Sequence, residues 1–445
     1  MSPVKAELKL NPDRALSADP AIAPIARKIY DSVKDLPIIS MHGHVPVEWF
    51  ATNEPFPDPA QLLIVPDHYL LRMLFSQGVK YEDLGVPTTD GSPVETNPRE
   101  IWRRFCANWK LFRGTPTRFW MEHVLHDVFG VKVRPSAETA DEIYDQIEAE
   151  INKPDFRPRE LLDRFNIEVI ATTDPAWSDL AAHAQLAKEG YGHRILPTFR
   201  PDAVFALKSP TFAADVVATG KAAGVPVTDY PSFLAALRAQ RLRFKAAGAT
   251  ATDHAAEVLS TEPLPEAEAE ALFAKAFAGG KGDPDAITPE QAAAFQGNML
   301  FESARMSTED GLVMQIHPGV LRDYDPGMHE KFGTDKGFDI PVAVEYARAV
   351  RPMLAAFGRH PNFRVILFTI DEDVYSRELA PLAGVFPSVR LGAPWWFIDT
   401  PEAMLRFRET ATETAGFYNT SGFVDDTRAF CSIPARHDLA RRIDS

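Results

Sequence analysis

Two histidines separated by a single glycine, His42-Gly43-His44, close the apolar run "PIISMH". Alternate residues of a strand point to one face, with Cα atoms roughly 7 Å apart, so both imidazoles can turn toward one metal ion. Gly43 leaves room between them. Near the other end of the chain, "DDTR" supplies Asp426 and, two positions on and sharing its face, Arg428. Two imidazoles and a carboxylate form an open nitrogen and oxygen site for a divalent ion that keeps a water or takes substrate oxygens. Zinc is the first expectation, and manganese, cobalt and ferrous iron suit the same donors. The plain alternative is a pair of loop histidines bonded to backbone or water.

Further groups have chemistry to offer. Arg200, in "LPTFRPD", precedes a proline that stops its strand, which suits a guanidinium clamp for an anion; the alternative is an ordinary surface arginine. Arg428 either orients Asp426, holds a substrate oxygen, or forms a salt bridge to Asp425 or Asp174. In "PDHYLLRM", His68 and Arg72 share a helical face at i and i+4, and Tyr69 brings a phenolic proton. Plain helix packing is the competing reading. His317, in "MQIHPG", suits a ligand, an orienting partner or a general acid. Trp395 and Trp396 offer an apolar wall for a sugar, with at least one of them expected in the core.

These groups need a scaffold that gathers them. Eight short apolar runs end in polar residues: 37–42, 167–173, 194–199, 248–254, 311–317, 363–370, 389–396 and 422–428. Helical segments such as "SDLAAHAQLAKEG" and "PSFLAALRAQRLRFKAAG" lie between them. Eight alternating units predict a (β/α)8 barrel of TIM type over residues 1–445, with reactive groups at the carboxyl ends of the strands. Closure of such a ring sets strand eight beside strand one, and so Asp426 beside the histidine pair. Two connections are too long for loops and are read as helical insertions, 45–165 after strand one and 255–310 after strand four.

Composition excludes several classes. With 45% hydrophobic and 24% charged residues the chain is neither disordered nor fibrous. No apolar run approaches the roughly 20 residues of a membrane span, so a cytoplasmic protein is expected. Two cysteines, Cys106 and Cys431, make neither a disulfide framework nor a thiolate cage. A net charge of -15 opposes nucleic acid and anionic membranes, and an anionic substrate then requires local arginines.

Nearly the whole chain resembles the uronate isomerases, the glucuronate isomerase branch of the amidohydrolase superfamily. The resemblance lies in "HGH" at 42–44, "DHYLLRM" at 67–73, "TTDP" at 172–175, "PTFRPD" at 197–202 and "TDHA" at 252–255. It continues in "MQIHPGVLRD" at 314–323, "GTDKGFDI" at 333–340, "GAPWWFID" at 392–399 and "DDTRAFCSIPARHDLARR" at 425–442. It implies reversible aldose to ketose conversion of D-glucuronate to D-fructuronate and of D-galacturonate to D-tagaturonate. By similarity, His42, His44 and Asp426 are metal ligands, and His68, Tyr69, Arg200 and Arg428 surround the substrate. Asp426 or a water at the centre would exchange the carbon-bound proton between C2 and C1, His68 and Tyr69 the hydroxyl protons, and Arg200 would grip the C6 carboxylate.

Some positions depart from the family pattern. Ser40 stands where an aspartate is usual, Asp425 where a threonine is usual, and Leu70-Leu71 replace Lys-Trp. Dinuclear relatives in the superfamily use a lysine after strand four and histidines on strands five and six; "GATATDHAAE" has no lysine and "FRVILFTIDED" no histidine, so one ion is expected. The competing readings are a mononuclear metal hydrolase of amides or esters and a noncatalytic sugar-acid binding protein. Homo-oligomerisation is left open by the sequence.

Overall fold

The computed structural model describes residues 5–280 and 282–445. Its strands, in chain order, are β1 (Ile38–Ser40), β2 (Ile167–Ala171), β3 (Asp174–Pro175), β4 (Ile195–Leu196), β5 (Phe199–Arg200) and β6 (Ala251–Ala256). They continue with β7 (Val313–Pro318), β8 (Val320–Leu321), β9 (Ile340–Pro341), β10 (Val365–Leu367) and β11 (Val389–Leu391). One parallel ladder runs β1-β2-β4, and a second runs β3-β5-β6-β7-β10-β11. The two are continuous, because β3 follows β2 and β5 follows β4 after short breaks that backbone bonds cross: Thr172 N donates to Leu196 O at 2.9 Å and Asp174 N to Thr198 O at 3.0 Å. The result is a mixed α/β fold in which parallel strands follow one another in chain order.

Seven of the eight expected strand segments contain strands of this ladder. The eighth, 422–428, does not. Gly422 and Asp426 take left-handed backbone angles, φ 77° and 39°, and two such residues prevent a regular extended run. Backbone hydrogen bonds nevertheless tie residues 419–427 to both ends of the ladder. Leu391 N donates to Asn419 O at 3.0 Å and Ser421 N to Leu391 O at 2.8 Å; on the other side Asp426 N donates to His42 O at 3.2 Å and His44 N to Thr427 O at 3.0 Å.

The helices start where the sequence caps them. Asp67, Asn97, Thr115, Asp229, Thr288 and Thr400 each accept a backbone N–H of the first turn, and all but Asp67 are followed within two residues by proline. Between β1 and β2 lie helices from Val47–Thr52 to Pro158–Arg164, held by Phe50, Trp102, Phe105, Phe112, Ile143 and Ile147, all fully buried. Each such side chain contributes roughly 1.5 to 3 kcal/mol on burial, which stabilises these short helices. Between β6 and β7 run Glu266–Phe277 and Pro289–Asp310. A third excursion, absent from the sequence expectations, is the antiparallel pair β8-β9 with the helix Pro326–Phe332 between its arms. No described helix is long and apolar enough to cross a membrane.

Candidate active site

β1 ends at Ser40, and the two histidines follow on the turn beyond it. The backbone bonds that tie His42 and His44 to Asp426 and Thr427 bring the distant carboxylate to them. His42 Nε2 lies 3.2 Å and His44 Nε2 2.9 Å from Asp426 Oδ1. His317, at the end of β7, stacks on the His42 ring with centroids 4.5 Å apart. Ligand atoms of His42, His317 and Asp426 all lie within 4.8 Å of one another. Asp426 Oδ1 stands within ion-pair distance of both imidazoles of the pair, and the buried His317 Nε2 has no hydrogen-bond partner among the described residues. Imidazole and carboxylate donors grouped in this way are of the kind that could hold a metal ion.

A second layer holds the first. His317 Nδ1 meets Asp253 Oδ1 at 2.8 Å, which leaves Nε2 directed to the cluster. Asp253 also lies 3.2 Å from Arg200 Nη1, and Arg200 Nε donates to Asp202 Oδ2 at 2.8 Å. Asp202 in turn accepts from Ala255 N at 3.1 Å. Burial works to raise both the Asp253 and the Asp426 carboxyls. It is outweighed by Arg200 and His42 at Asp253, and by His42 and His44 at Asp426, so both are held well below the usual range.

Asp67 opens the helix His68–Ser76 by accepting from Tyr69 N at 2.9 Å and Leu70 N at 3.2 Å, which directs His68 and Tyr69 to the mouth. Their rings stack at 4.7 Å, and Trp120 meets Tyr69 edge-on at 5.7 Å. Burial, then Arg428, pushes His68 down to about 3, so its imidazole is neutral. A cavity opens here, lined by His44, His68, Tyr69, Trp395, Trp396, Asp426 and Arg428 together with Arg322, Asp335 and Arg436. Arg428 finds its carboxylate in Asp335 at 3.4 Å, and the salt bridges to Asp425 or Asp174 considered from the sequence do not form.

Not every expected residue lines this cavity. His42, His317 and Arg200 lie beneath it, around the cluster, and Arg72 packs its guanidinium on Phe397 at 4.8 Å. Trp395 and Trp396 are 6% and 9% exposed, both mostly core yet both on the cavity wall. Two further polar groups near strand ends stay outside the cluster: Asp174 accepts from Thr172 Oγ1 at 2.7 Å, and His254 Nε2 meets Thr252 Oγ1 at 2.9 Å. Sequence reasoning missed Arg322, Asp335 and Asp339, all on the β8-β9 excursion. Arg322 donates to the buried Asp339 at 2.9 Å and stacks over Trp396 at 5.2 Å. Their signal was present in "VLRD" and "GTDKGFD", but no expected element placed those stretches at the mouth.

A cluster of imidazole and carboxylate donors at the ends of parallel strands, roofed by three arginines, is the equipment of an enzyme that handles an oxygen-rich anion. The comparisons agree. The family model for glucuronate isomerase matches residues 21–444. A uronate isomerase of Rhizobium meliloti is 52% identical over 435 residues, 98% of this chain and 92% of its own length. The crystal structure of glucuronate isomerase from Caulobacter crescentus superposes with a TM-score of 0.94 at 49% identity, covering 98% of this chain and 90% of that one. That of uronate isomerase from Thermotoga maritima gives 0.88 at 29% identity, covering 98% and 92%. The chain belongs to the glucuronate isomerase family, and it is an isomerase.

Proposed function

We propose that this chain interconverts D-glucuronate with D-fructuronate and D-galacturonate with D-tagaturonate at the cluster of His42, His44, His317 and Asp426. The convergence of these donors on one point, beneath an arginine-rich cavity, is the observation that carries the reading. Parallel strands in chain order, with the 419–428 stretch bonded to both ends of the ladder, support a closed (β/α)8 barrel as the scaffold. The helical insertions 45–165 and 255–310 are read as additions to that one barrel.

His42, His44 and Asp426, with His317 as a fourth donor, would hold one divalent ion, zinc first among the candidates. When bound, such an ion supplies positive charge against the enediolate oxygens and steadies the negative charge that builds there. The protein's own groups account for the proton movements. Asp426 is ionised and is assigned the transfer of the carbon-bound proton from C2 to C1. His68, neutral, and Tyr69 stand where the sugar hydroxyls would lie and are assigned their protons. Arg428 faces the same cavity beside Asp426 and suits the developing oxyanion. Arg200 is fixed by Asp202 and Asp253 and keeps further N–H donors for the C6 carboxylate.

Incubation with D-glucuronate in deuterium oxide tests the reading. The expected products are the ketouronate and deuterium incorporated at its C1. Absence of ketouronate from the metal-loaded protein, with hydrolysis of an amide or ester in its place, would overturn it.

A further inference from the structure

Two buried oxygens beside the histidine pair have no hydrogen-bond partner among the described residues: Ser40 Oγ and Asp425 Oδ1. They flank one point. A β-carbon built on Gly43 would stand 3.3 Å from Asp425 Oδ1 and 3.7 Å from Ser40 Oγ. Asp425 is 2% exposed, and its other oxygen accepts from His437 Nε2 at 3.0 Å, on the helix Ile433–Asp444. A carboxylate oxygen only accepts, whereas a serine hydroxyl donates. The two are therefore complementary as donor and acceptor, on either side of the point a Gly43 β-carbon would occupy.

We propose that Asp425, acting with Ser40 across Gly43, is a positioning residue that presses the His42-Gly43-His44 turn against Asp426. Asp425 immediately precedes Asp426, whose φ of 39° is strained for a residue with a side chain, so an anchor at that place is physically needed. The anchor joins three elements: the end of β1 through Ser40, the 425–428 stretch through Asp425 itself, and the last helix through His437. A β-carbon at Gly43 would press on this anchor, 3.3 Å from Asp425 Oδ1. The inference rests on the site proposed above.

The test compares the unaltered chain with Ser40→Ala, Asp425→Ser, His437→Asn and the exchange Ser40→Asp with Asp425→Ser, which moves the carboxylate across the gap. The measurements are kcat and KM on D-glucuronate, the rate at which loaded zinc is released to a chelator, and thermal unfolding. Asp425→Ser is expected to lower kcat and speed zinc release by about 10- to 100-fold with KM little changed. The exchange is expected to recover most of that loss. Ser40→Ala, which leaves the His437 pair intact, is expected to move both quantities several-fold in the same direction; it decides the matter if Asp425→Ser does not fold. Unchanged zinc release and kcat in Ser40→Ala and Asp425→Ser would overturn the role. So would His437→Asn reproducing the whole loss while the exchange recovers none of it. Should the unaltered chain not turn over D-glucuronate, the reaction assignment fails, while zinc release still judges the positioning.

Discussion

Asp426 is asked to do two things at once, to complete the donor cluster and to carry a proton, and its surroundings permit both. Its Oδ1 faces the imidazoles, and the same residue lines the cavity. Asp426→Asn keeps the volume and removes the base, so kcat on D-glucuronate should fall by about 10² to 10⁴. A variant retaining more than a tenth of the parent rate would exclude Asp426 from proton transfer. Arg200 is a different case, because two carboxylates already hold it. Its remaining N–H groups can grip the substrate only in the geometry those carboxylates set. Loss of one charged hydrogen-bond partner costs about 1.5 to 3 kcal/mol, so Arg200→Ala should raise KM for D-glucuronate roughly 10- to 150-fold. An unchanged KM would move the carboxylate grip to Arg322 or Arg428.

At the scale of elements, the β8-β9 excursion decides how the cavity is roofed. Gly337 lies on it with φ 89°, and a β-carbon there would stand 2.9 Å from His68 O and 3.0 Å from the Arg72 β-carbon. The excursion is clamped on the first insertion by Thr89 Oγ1 donating to Glu330 O at 2.6 Å and by Tyr81 OH donating to Lys336 O at 2.5 Å. Gly337→Ala should cost about 1 to 2 kcal/mol from backbone strain and, by displacing the His68 turn, lower kcat/KM more than it lowers stability. Denaturant unfolding and steady-state kinetics on one preparation check this, and equal small losses in both would deny the contact a functional part. The same excursion marks where the sequence stopped being legible. Seven strand segments could be read because parallel strands buried on both faces are short apolar runs ending in polar groups. Segment 422–428 reads as a strand too, yet Gly422 and Asp426 turn its backbone, which no apolar pattern registers. The hairpin, with two-residue arms at Val320–Leu321 and Ile340–Pro341, carries too little periodicity to be seen, and Arg322, Asp335 and Asp339 stayed hidden with it.

Over the whole molecule, burial sets two groups of side chains against each other as pH falls. His68 and His254 are pushed down to about 3 and His183 to about 4, each chiefly by burial. Unfolded, they take up protons near 6.5, so each favours the unfolded chain increasingly as pH drops from 6.5 to its folded value. Asp174 and Asp202 are pushed up to about 6 and Asp399 to about 7, again by burial. The folded chain takes up protons there before the unfolded one does near 3.9, so these three favour folding as pH drops from 7 to 4. Three against three, at up to about 1.4 kcal/mol per unit each, these six groups nearly cancel one another between pH 6 and 4. Below 4 the aspartate contribution is exhausted, His68 and His254 remain neutral in the fold while charged in the unfolded chain, and the unfolded chain protonates the carboxyls of Asp253 and Asp426 that the fold keeps ionised, so stability should fall steeply. His183, 3% exposed, meets Thr172 Oγ1 at 3.0 Å with Asp174 Oδ2 3.8 Å away, and it allows the histidine side of the balance to be changed. His183→Gln removes one acid-sensitive group and leaves the aspartates in place. Its stability relative to the parent should therefore improve by up to about 3 kcal/mol between pH 7 and pH 4. Urea unfolding of both chains across that range measures the difference directly, and two curves that stay parallel would show that His183 is not held neutral by the fold.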